Sequence, residues 1–316
     1  MKYVKIVLFV GCLLFVNIFL IIRIQKSYAD WYVSKSEFSA RPIINQSIAF
    51  ISTFDLQNDG KDEFIARIPE KSATPGFYEI EIFHPFSPTN VDLNFILHMQ
   101  ISVNYVFSDP VDINNDGGLE IPLLGIKDSR IFFEYRDMQG NVIQSIEMEE
   151  LSLPISQDRL EQKIIGVEVM DNDGTQELVW EFSAGFAGLP RGYACHDLET
   201  GRKKWEFLSA AHPIESQILD IDSDRKKELV FSLKAPHNSI TYKDTNDDTS
   251  YIGVLNSTGE LRWMKKTGGF YTQVNFKVGD INGNGKYELV PAVPAIGPMI
   301  PIREKSGYMI FYPALS

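Results

Sequence analysis

One nine-residue segment predicts how the chain folds, and it reads Asp112-Ile113-Asn114-Asn115-Asp116-Gly117-Gly118-Leu119-Glu120. Side chains that carry oxygen stand at its positions 1, 3, 5 and 9, and a glycine stands at position 6. Side chains at alternate positions of a tight loop converge on one point, and glycine permits the sharp bend that brings them together. The stretch therefore predicts a loop whose oxygen ligands face inward.

Four further segments follow the same nine-residue template, so the chain is built from repeats. They begin at residues 55, 169, 220 and 280, which gives a period of 51–60 residues. The third segment has Val169 where the others have an aspartate. The candidate metal ligands of the five loops are Asp55, Gln57, Asp59, Glu63, Asp112, Asn114, Asp116, Glu120, Asp171, Asp173, Glu177, Asp220, Asp222, Asp224, Glu228, Asp280, Asn282, Asn284 and Glu288.

Short apolar or alternating runs flank each loop, and their length and β-branched content favour strands. Turns that contain glycine, at residues 197–201 and 256–259 for example, then close a hairpin in most repeats. Each repeat reads as about four antiparallel strands, and four-stranded sheets repeated radially are the blades of a β-propeller. We therefore expect an all-β fold, a β-propeller of about five four-stranded blades, with repeats near residues 48–98, 101–150, 163–210, 213–265 and 272–316.

The loops have the ligands that a hard cation prefers. Ca²⁺ takes about six to eight oxygens, and the EF-hand supplies them from a loop that closes with a glutamate at position 12. Here the closing glutamate is at position 9 and position 12 is apolar, which excludes an EF-hand. Asp/Asn/Gly turns also stabilise hairpins without metal, so metal-free turns remain an alternative.

The pattern Asp-x-(Asn/Asp)-x-Asp-Gly-x-x-Glu between strands resembles the FG-GAP/VCBS repeat family, the calcium-loop blades of integrin-like propellers. The resemblance covers roughly residues 48–316 and is specific in the loops. It implies Ca²⁺ at loop positions 1, 3, 5 and 9, and a binding or adhesive role outside the cytoplasm. The chain departs from the pattern at Val169, at Arg225 in place of glycine, and in the fifth loop, whose only charged ligands are Asp280 and Glu288. We expect loops 1 and 2 to bind best, then loop 4, then loops 5 and 3.

An apolar run at residues 6–22 lies between Lys2 and Lys5 on one side and Arg23 and Lys26 on the other. Its length is at the short end for a spanning helix and long for the apolar core of a signal peptide. We expect residues 1–29 to be a signal anchor with one transmembrane helix, and residues 30–316 to lie outside the cytoplasm. A cleaved signal and a lipidated Cys12 stay open as alternatives.

Composition and motifs limit the function classes. A formal net charge of −12 argues against nucleic-acid binding, which needs a basic face. No phosphate loop, nucleophile motif or zinc-type histidine pair stands out, so an enzyme is not expected, and His196 in a predicted strand is expected to be structural.

The sequence instead favours a calcium-binding sensor or adhesion module for a protein or glycan ligand. A carbohydrate-active enzyme, a lyase or glycosidase, is the main alternative, and a purely structural repeat module is another. Loops on a rigid scaffold usually hold the functional groups. We therefore expect a ligand rim on the long loops at the end of the sheets opposite the acidic loops, formed by Phe186, Arg191, Tyr242, Met299 and Arg303.

Overall fold

The computed structural model describes residues 50–55, 63–68, 77–83, 95–102, 104–154, 160–185, 187–281, 283 and 287–292. Every regular element of secondary structure within these residues is a β-strand, which confirms the predicted all-β class. The predicted anchor lies outside the described residues. Among those that are described, no helix is long and apolar enough to cross a membrane.

Four antiparallel sheets of four strands follow one another along the chain. Sheet 1 contains β1 (Phe50–Phe54), β2 (Glu63–Ile68), β3 (Phe77–Phe83) and β4 (Phe95–Ser102). Sheet 2 contains β5 (Tyr105–Phe107), β6 (Ile121–Lys127), β7 (Arg130–Arg136) and β8 (Val142–Met148). Sheet 3 contains β9 (Glu161–Glu168), β10 (Glu177–Ser183), β11 (Arg191–Asp197) and β12 (Lys203–Leu208).

Sheet 4 contains β13 (His212–Leu219), β14 (Glu228–Lys234), β17 (Ser250–Leu255) and β18 (Leu261–Gly268). Its long connection between β14 and β17 forms a small hairpin of β15 (Thr241–Tyr242) and β16 (Thr245–Asn246). A final pair, β19 (Asn275–Gly279) and β20 (Glu288–Ala292), lies next to sheet 4. In each of the four full sheets the strands lie side by side in chain order, apart from the inserted hairpin.

The sheets stack face to face, as the packing of β10 illustrates. Trp180 and Phe182 lie in one apolar cluster with Phe133 of sheet 2. Val179 points to the opposite face, because side chains alternate along a strand, and it packs in a cluster with Phe231 of sheet 4. Two further clusters join sheet 1 to sheet 2 and sheet 4 to the β19–β20 pair. Consecutive four-stranded sheets stacked in this way have the arrangement of propeller blades.

The first strands of neighbouring sheets contact one another, β5 with β9, β9 with β13, and β13 with β19. A groove of about 800 Å³ lies between β5 and β9, lined by residues 106–111 and 162–168. The sheets are therefore arranged around their first strands, as in a radial repeat. A ring of five blades remains a prediction.

Successive connections of an antiparallel sheet lie at opposite ends of it. The acidic loops of sheets 2, 3 and 4 connect first strands to second strands, so they share one end, which we call the loop face. The second-to-third-strand connections lie at the opposite end, which we call the rim face. Adjacent acidic loops are joined by hydrogen bonds, from Gln176 Nε2 to the Asp112 carbonyl at 3.3 Å and from the Lys227 amide to the Met170 carbonyl at 2.7 Å. The loop face is therefore continuous across sheets 2, 3 and 4.

Candidate metal loops and candidate ligand rim

The glutamate at position 9 has the same role in loops 2 to 5. It is buried, and its Oε2 accepts a hydrogen bond from the backbone amide of loop position 2 at 2.7–3.0 Å. The four acceptors are Glu120, Glu177, Glu228 and Glu288, and the donors are Ile113, Met170, Ile221 and Ile281. Burial raises the pKa of Glu120, Glu177 and Glu228, the last to about 7. Burying a carboxylate is costly unless hydrogen bonds or positive charge compensate for it.

Loop 2, residues 112–120, is a tight turn built by its own side chains. The two oxygens of Asp112 accept hydrogen bonds from the amides of Asp116 at 3.2 Å and Gly117 at 3.1 Å. Asn114 Oδ1 accepts from the same Asp116 amide at 2.9 Å, and Gly117 has φ of +88°. Within the described part of the chain, no ion pair joins Asp112, Asp116 or Glu120 to a basic side chain.

Loop 3, residues 169–177, has a lysine among its carboxylates. Lys204 Nζ from β12 lies 2.7 Å from Asp171 Oδ2, 2.8 Å from Glu177 Oε1 and 3.5 Å from Asp173 Oδ2. The three carboxylates each bring one oxygen within 4.8 Å of the others, a spacing that suits one cation. Burial lowers the pKa of Lys204, but hydrogen bonds to Asp171 and Glu177 outweigh this and raise it overall, so the ammonium stays charged. Val169 supplies no ligand to this loop.

Loop 4, residues 220–228, has an arginine in the corresponding place. Arg262 Nη1 from β18 lies 2.7 Å from Asp222 Oδ2 and 3.4 Å from Glu228 Oε1. Arg225 occupies the glycine position with φ of +71°, the left-handed conformation expected there. Its amide donates to Asp220 Oδ2 at 2.9 Å, so the loop keeps the bend that glycine gives elsewhere.

Sequence reasoning missed both cationic partners. Each is a basic residue three positions after the turn glycine of its hairpin, Lys204 after Gly201 and Arg262 after Gly259, and each is followed by a tryptophan. This recurrence was the available signal. It did not indicate contact with an acidic loop, because the strand register that brings the two together is not visible in a local pattern.

Loops 1 and 5 are described only in part. Asp55 follows β1, Glu63 begins β2, and Asp280 follows β19. Glu288 is buried at the start of β20. The remaining predicted ligands of these two loops lie outside the described residues, and they are Gln57, Asp59, Asn282 and Asn284.

The structure corrects the predicted ligand rim at Arg191. Its side chain is 0% exposed, so it cannot meet a ligand from solvent. The guanidinium donates to the carbonyls of Gly185 and Ala210 and lies 3.7 Å from Asp247 Oδ2, which is also fully buried. Arg191 therefore joins sheet 3 to the long loop of sheet 4. The other predicted rim residues that lie outside the described part are Phe186, Met299 and Arg303.

The rim face of sheet 4 exposes a group of rings that we call the aromatic cluster, formed by His237, Phe270 and Tyr271. The His237 ring stacks on Phe270 with centroids 4.1 Å apart and meets the edge of Tyr271 at 5.4 Å. His237 Nδ1 also contacts Asp248. Phe270 is 53% exposed and Tyr271 is 39% exposed. The predicted rim residue Tyr242 lies half-buried on the same long loop.

Two residues with reactive side chains are enclosed in the protein. His196 Nδ1 accepts a hydrogen bond from Trp180 Nε1 at 3.2 Å, and its Nε2 donates to the Glu149 carbonyl at 2.9 Å. Burial lowers the pKa of His196 to about 4 and raises that of the Cys195 thiol. Both are therefore neutral at physiological pH, and the burial and hydrogen bonds of His196 agree with the structural role expected for it.

Comparisons with known proteins leave the family open. No protein-family model matches the chain, and no curated protein matches it. Solved structures that align with it include the V. cholerae biofilm matrix protein Bap1 (18% identity, TM-score 0.36), the Dos1 propeller (8%, 0.42) and a europium-containing methanol dehydrogenase (12%, 0.37). These alignments cover 74%, 73% and 80% of this chain. The chain spans about half the length of each structure, from 44% to 52%. Similarities this distant support no conclusion about function.

Proposed function

We propose that the protein is a membrane-anchored β-propeller outside the cytoplasm that binds a protein or glycan ligand at its rim face and Ca²⁺ at its loop face. The observation that carries the ligand-binding part is the exposed aromatic cluster. Large rings are normally buried, and exposed ones that are held in place by neighbouring contacts are typical of recognition surfaces. The loops that hold this cluster are fixed by a scaffold of stacked sheets, which suits a binding role.

Calcium is proposed first for loop 2. Asp112, Asp116 and Glu120 provide carboxylates and Asn114 provides an amide oxygen, which together form a donor set that a hard cation accepts. The resemblance to calcium-loop repeats supports the same assignment. A bound divalent ion would neutralise these carboxylates, for which the described residues provide no basic side chain.

The membrane anchor is proposed from the apolar run at residues 6–22 and the charges that flank it. We expect alkaline washing to leave the full-length protein in the membrane fraction. Protease added to intact cells, or to spheroplasts where the cell has an outer membrane, should digest the domain from outside the cytoplasmic membrane. Release by alkali, or protection from protease when only the cytoplasmic membrane is left, would contradict this part of the proposal.

The ligand-binding part is tested with a matched pair of tyrosines. Tyr271 on the rim face and Tyr287, at position 8 of the fifth acidic loop, are both 39% exposed. A glycan array and a panel of purified extracellular proteins identify a ligand for the wild type. We expect Phe270→Ala and Tyr271→Ala to weaken that binding by roughly tenfold or more, as loss of an aromatic anchor does, and Tyr287→Ala to leave it unchanged.

Three outcomes count against this proposal. No ligand in either screen would remove its basis, and equal losses from all three variants would move the site away from the aromatic cluster. Cleavage of a glycan by the purified protein would favour the alternative of a carbohydrate-active enzyme.

A further inference from the structure

One position near the start of the fourth strand is left unpaired in each of the four full sheets. The pairing between the third and fourth strands skips the second residue of the fourth strand every time, and these residues are Ile96, Ile143, Lys204 and Arg262. In sheet 4 the pairing also skips Thr267, near the other end of β18. An extra residue of this kind is a β-bulge, which redirects a side chain. We call the second residue of each fourth strand the bulge position.

The bulge position lies close to the acidic loop of its own sheet, because both are at the loop face. In sheet 3 the Lys204 ammonium contacts the carboxylates of loop positions 3, 5 and 9. In sheet 4 the Arg262 guanidinium contacts those of positions 3 and 9. Position 9 offers the same atom in both loops, the Oε1 that its backbone hydrogen bond leaves available. The two basic groups therefore occupy equivalent places among equivalent ligands.

Sheet 2 has a different residue there. Ile143 stands at its bulge position, is 44% exposed, and has no charge to offer to loop 2. Loop 2 has the same ligand positions, and its glutamate, Glu120, is buried like Glu177 and Glu228. Buried carboxylates that lose their positive partner are strongly destabilising. Basic side chains thus compensate loops 3 and 4, whereas the described residues place none against loop 2.

We infer that Lys204 and Arg262 take the place of a bound divalent cation in loops 3 and 4, and that the bulge position decides which loops depend on metal. This deepens the proposed calcium binding by restricting it to loops whose bulge position is not basic. Loops 3 and 4 have a basic residue at the bulge position, so neither of them needs calcium to fold. The sequence-based ranking of calcium affinity places loop 4 third. Under this inference, loops 3 and 4 do not bind calcium.

Arg262→Met tests the inference most directly, because loop 4 has four carboxylates that could accept an ion once the guanidinium is gone. We expect the full-length variant to melt at a lower temperature than the wild type in chelator. About 10 mM CaCl₂, above the ~1 mM dissociation constants of weak extracellular calcium modules, should raise its melting temperature by roughly 5 °C more than that of the wild type. Calorimetric titration should find one more calcium ion per molecule.

Lys266→Met is the matched control, because it removes an exposed positive charge from the same strand. We expect its calcium response to equal that of the wild type. Lys204→Met repeats the test in loop 3 and covers the case in which Arg262→Met does not fold. Its calcium site should be weaker, because Val169 provides no ligand. The converse change, Ile143→Arg, should remove one calcium ion from the wild-type count.

The inference is overturned if Arg262→Met and Lys204→Met are as stable as the wild type in chelator, or if both are destabilised and neither gains a calcium ion. These results are separate from the proposed function. A wild type that binds no calcium would remove the loop 2 site, and the gain of an ion by Arg262→Met would still show that the arginine excludes one.

Discussion

At the scale of single residues, His196 shows how a polar group is accommodated inside the stacked sheets. Both ring nitrogens are engaged, one by the Trp180 indole and the other by the Glu149 carbonyl of the chain that leaves sheet 2. Only the neutral ring fits this arrangement, because Nδ1 must accept and Nε2 must donate. Burial disfavours the imidazolium and lowers the pKa of His196 to about 4.

The low pKa of His196 predicts that acid lowers the stability of the folded protein. The pKa of the ring is lower in the folded state than the ordinary 6.5, so folding favours the neutral form. The contribution to the free energy of unfolding is complete above pH 6.5 and is lost as the pH falls toward 4, by about 3 kcal/mol. His196→Gln should be less stable than the wild type at pH 7, and this difference should shrink by about that amount at pH 4.

Urea unfolding at intervals between pH 7 and pH 4 measures the effect. Taking the difference between the two proteins removes the contribution of groups common to both, including Glu228, whose raised pKa acts in the opposite direction. His237→Gln is the control, because the His237 side chain is 35% exposed. A constant difference between wild type and His196→Gln across the range would show that the ring does not titrate as described.

At the scale of elements, the long connection between β14 and β17 is organised by one carboxylate. The two oxygens of Asp247 accept hydrogen bonds from the amides of Ile240 at 2.9 Å and Asn238 at 3.0 Å, so they fold the segment that holds His237. Arg191 of β11 lies beside the same carboxylate, and both side chains are fully buried. The long loop, which the sequence predicts to be part of an exposed ligand rim, is therefore attached to the neighbouring sheet through buried side chains.

The buried pair of Arg191 and Asp247 predicts that changes at the two residues have large, non-additive effects on the free energy of unfolding. Arg191→Met should destabilise the protein by about 3–5 kcal/mol, because Asp247 is left as a buried charge without its partner. Adding Asp247→Asn should restore part of the loss, since the amide carries no charge and keeps an oxygen that accepts a hydrogen bond. A double-mutant cycle measured by urea unfolding gives the coupling, and simply additive losses would contradict the pairing.

At the scale of the whole molecule, the loop face connects the sheets as well as holding candidate ligands. The Gln176 side chain and the Lys227 amide join loop 3 to loop 2 and loop 4 to loop 3. Trp205 Nε1 donates to the Ser257 carbonyl at 3.0 Å and so joins sheet 3 to a turn of sheet 4. An ion bound to one of these loops would therefore act on a network that extends over three sheets.

Calcium should consequently stabilise the folded protein as a whole. We expect excess chelator to lower the melting temperature of the full-length protein, because a ligand that binds only the folded state stabilises it by mass action. Asp112→Ala should abolish most of the calcium response of loop 2. Replacing calcium with an equal concentration of NaCl controls for ionic strength. An unchanged melting curve, with no calcium found by elemental analysis, would favour metal-free turns.

The local sequence pattern was sufficient to predict the β-strands. The apolar runs at residues 131–136, 192–196 and 251–255 lead into the turns of their hairpins and predict strands, and the structure has strands at Arg130–Arg136, Arg191–Asp197 and Ser250–Leu255. The sequence also predicts the positions of the acidic loops and their sharp bend. The structure has the left-handed conformation at the bend even in loop 4, where Arg225 replaces glycine. These features depend on residues within one turn or one hairpin of each other, which is the range over which composition and spacing act.

The partners of those elements were decided only by the tertiary structure. Lys204 meets Asp171 across 33 residues of chain and Arg262 meets Asp222 across 40, because a bulge in the fourth strand directs each side chain to its loop. Stacking of the sheets buries Arg191, and two separate connections bring His237 to Phe270. Local sequence is sufficient to predict where the candidate oxygen ligands cluster. Which cluster already has a positive charge depends on strand register and sheet stacking, and these are set by packing between residues far apart in the chain.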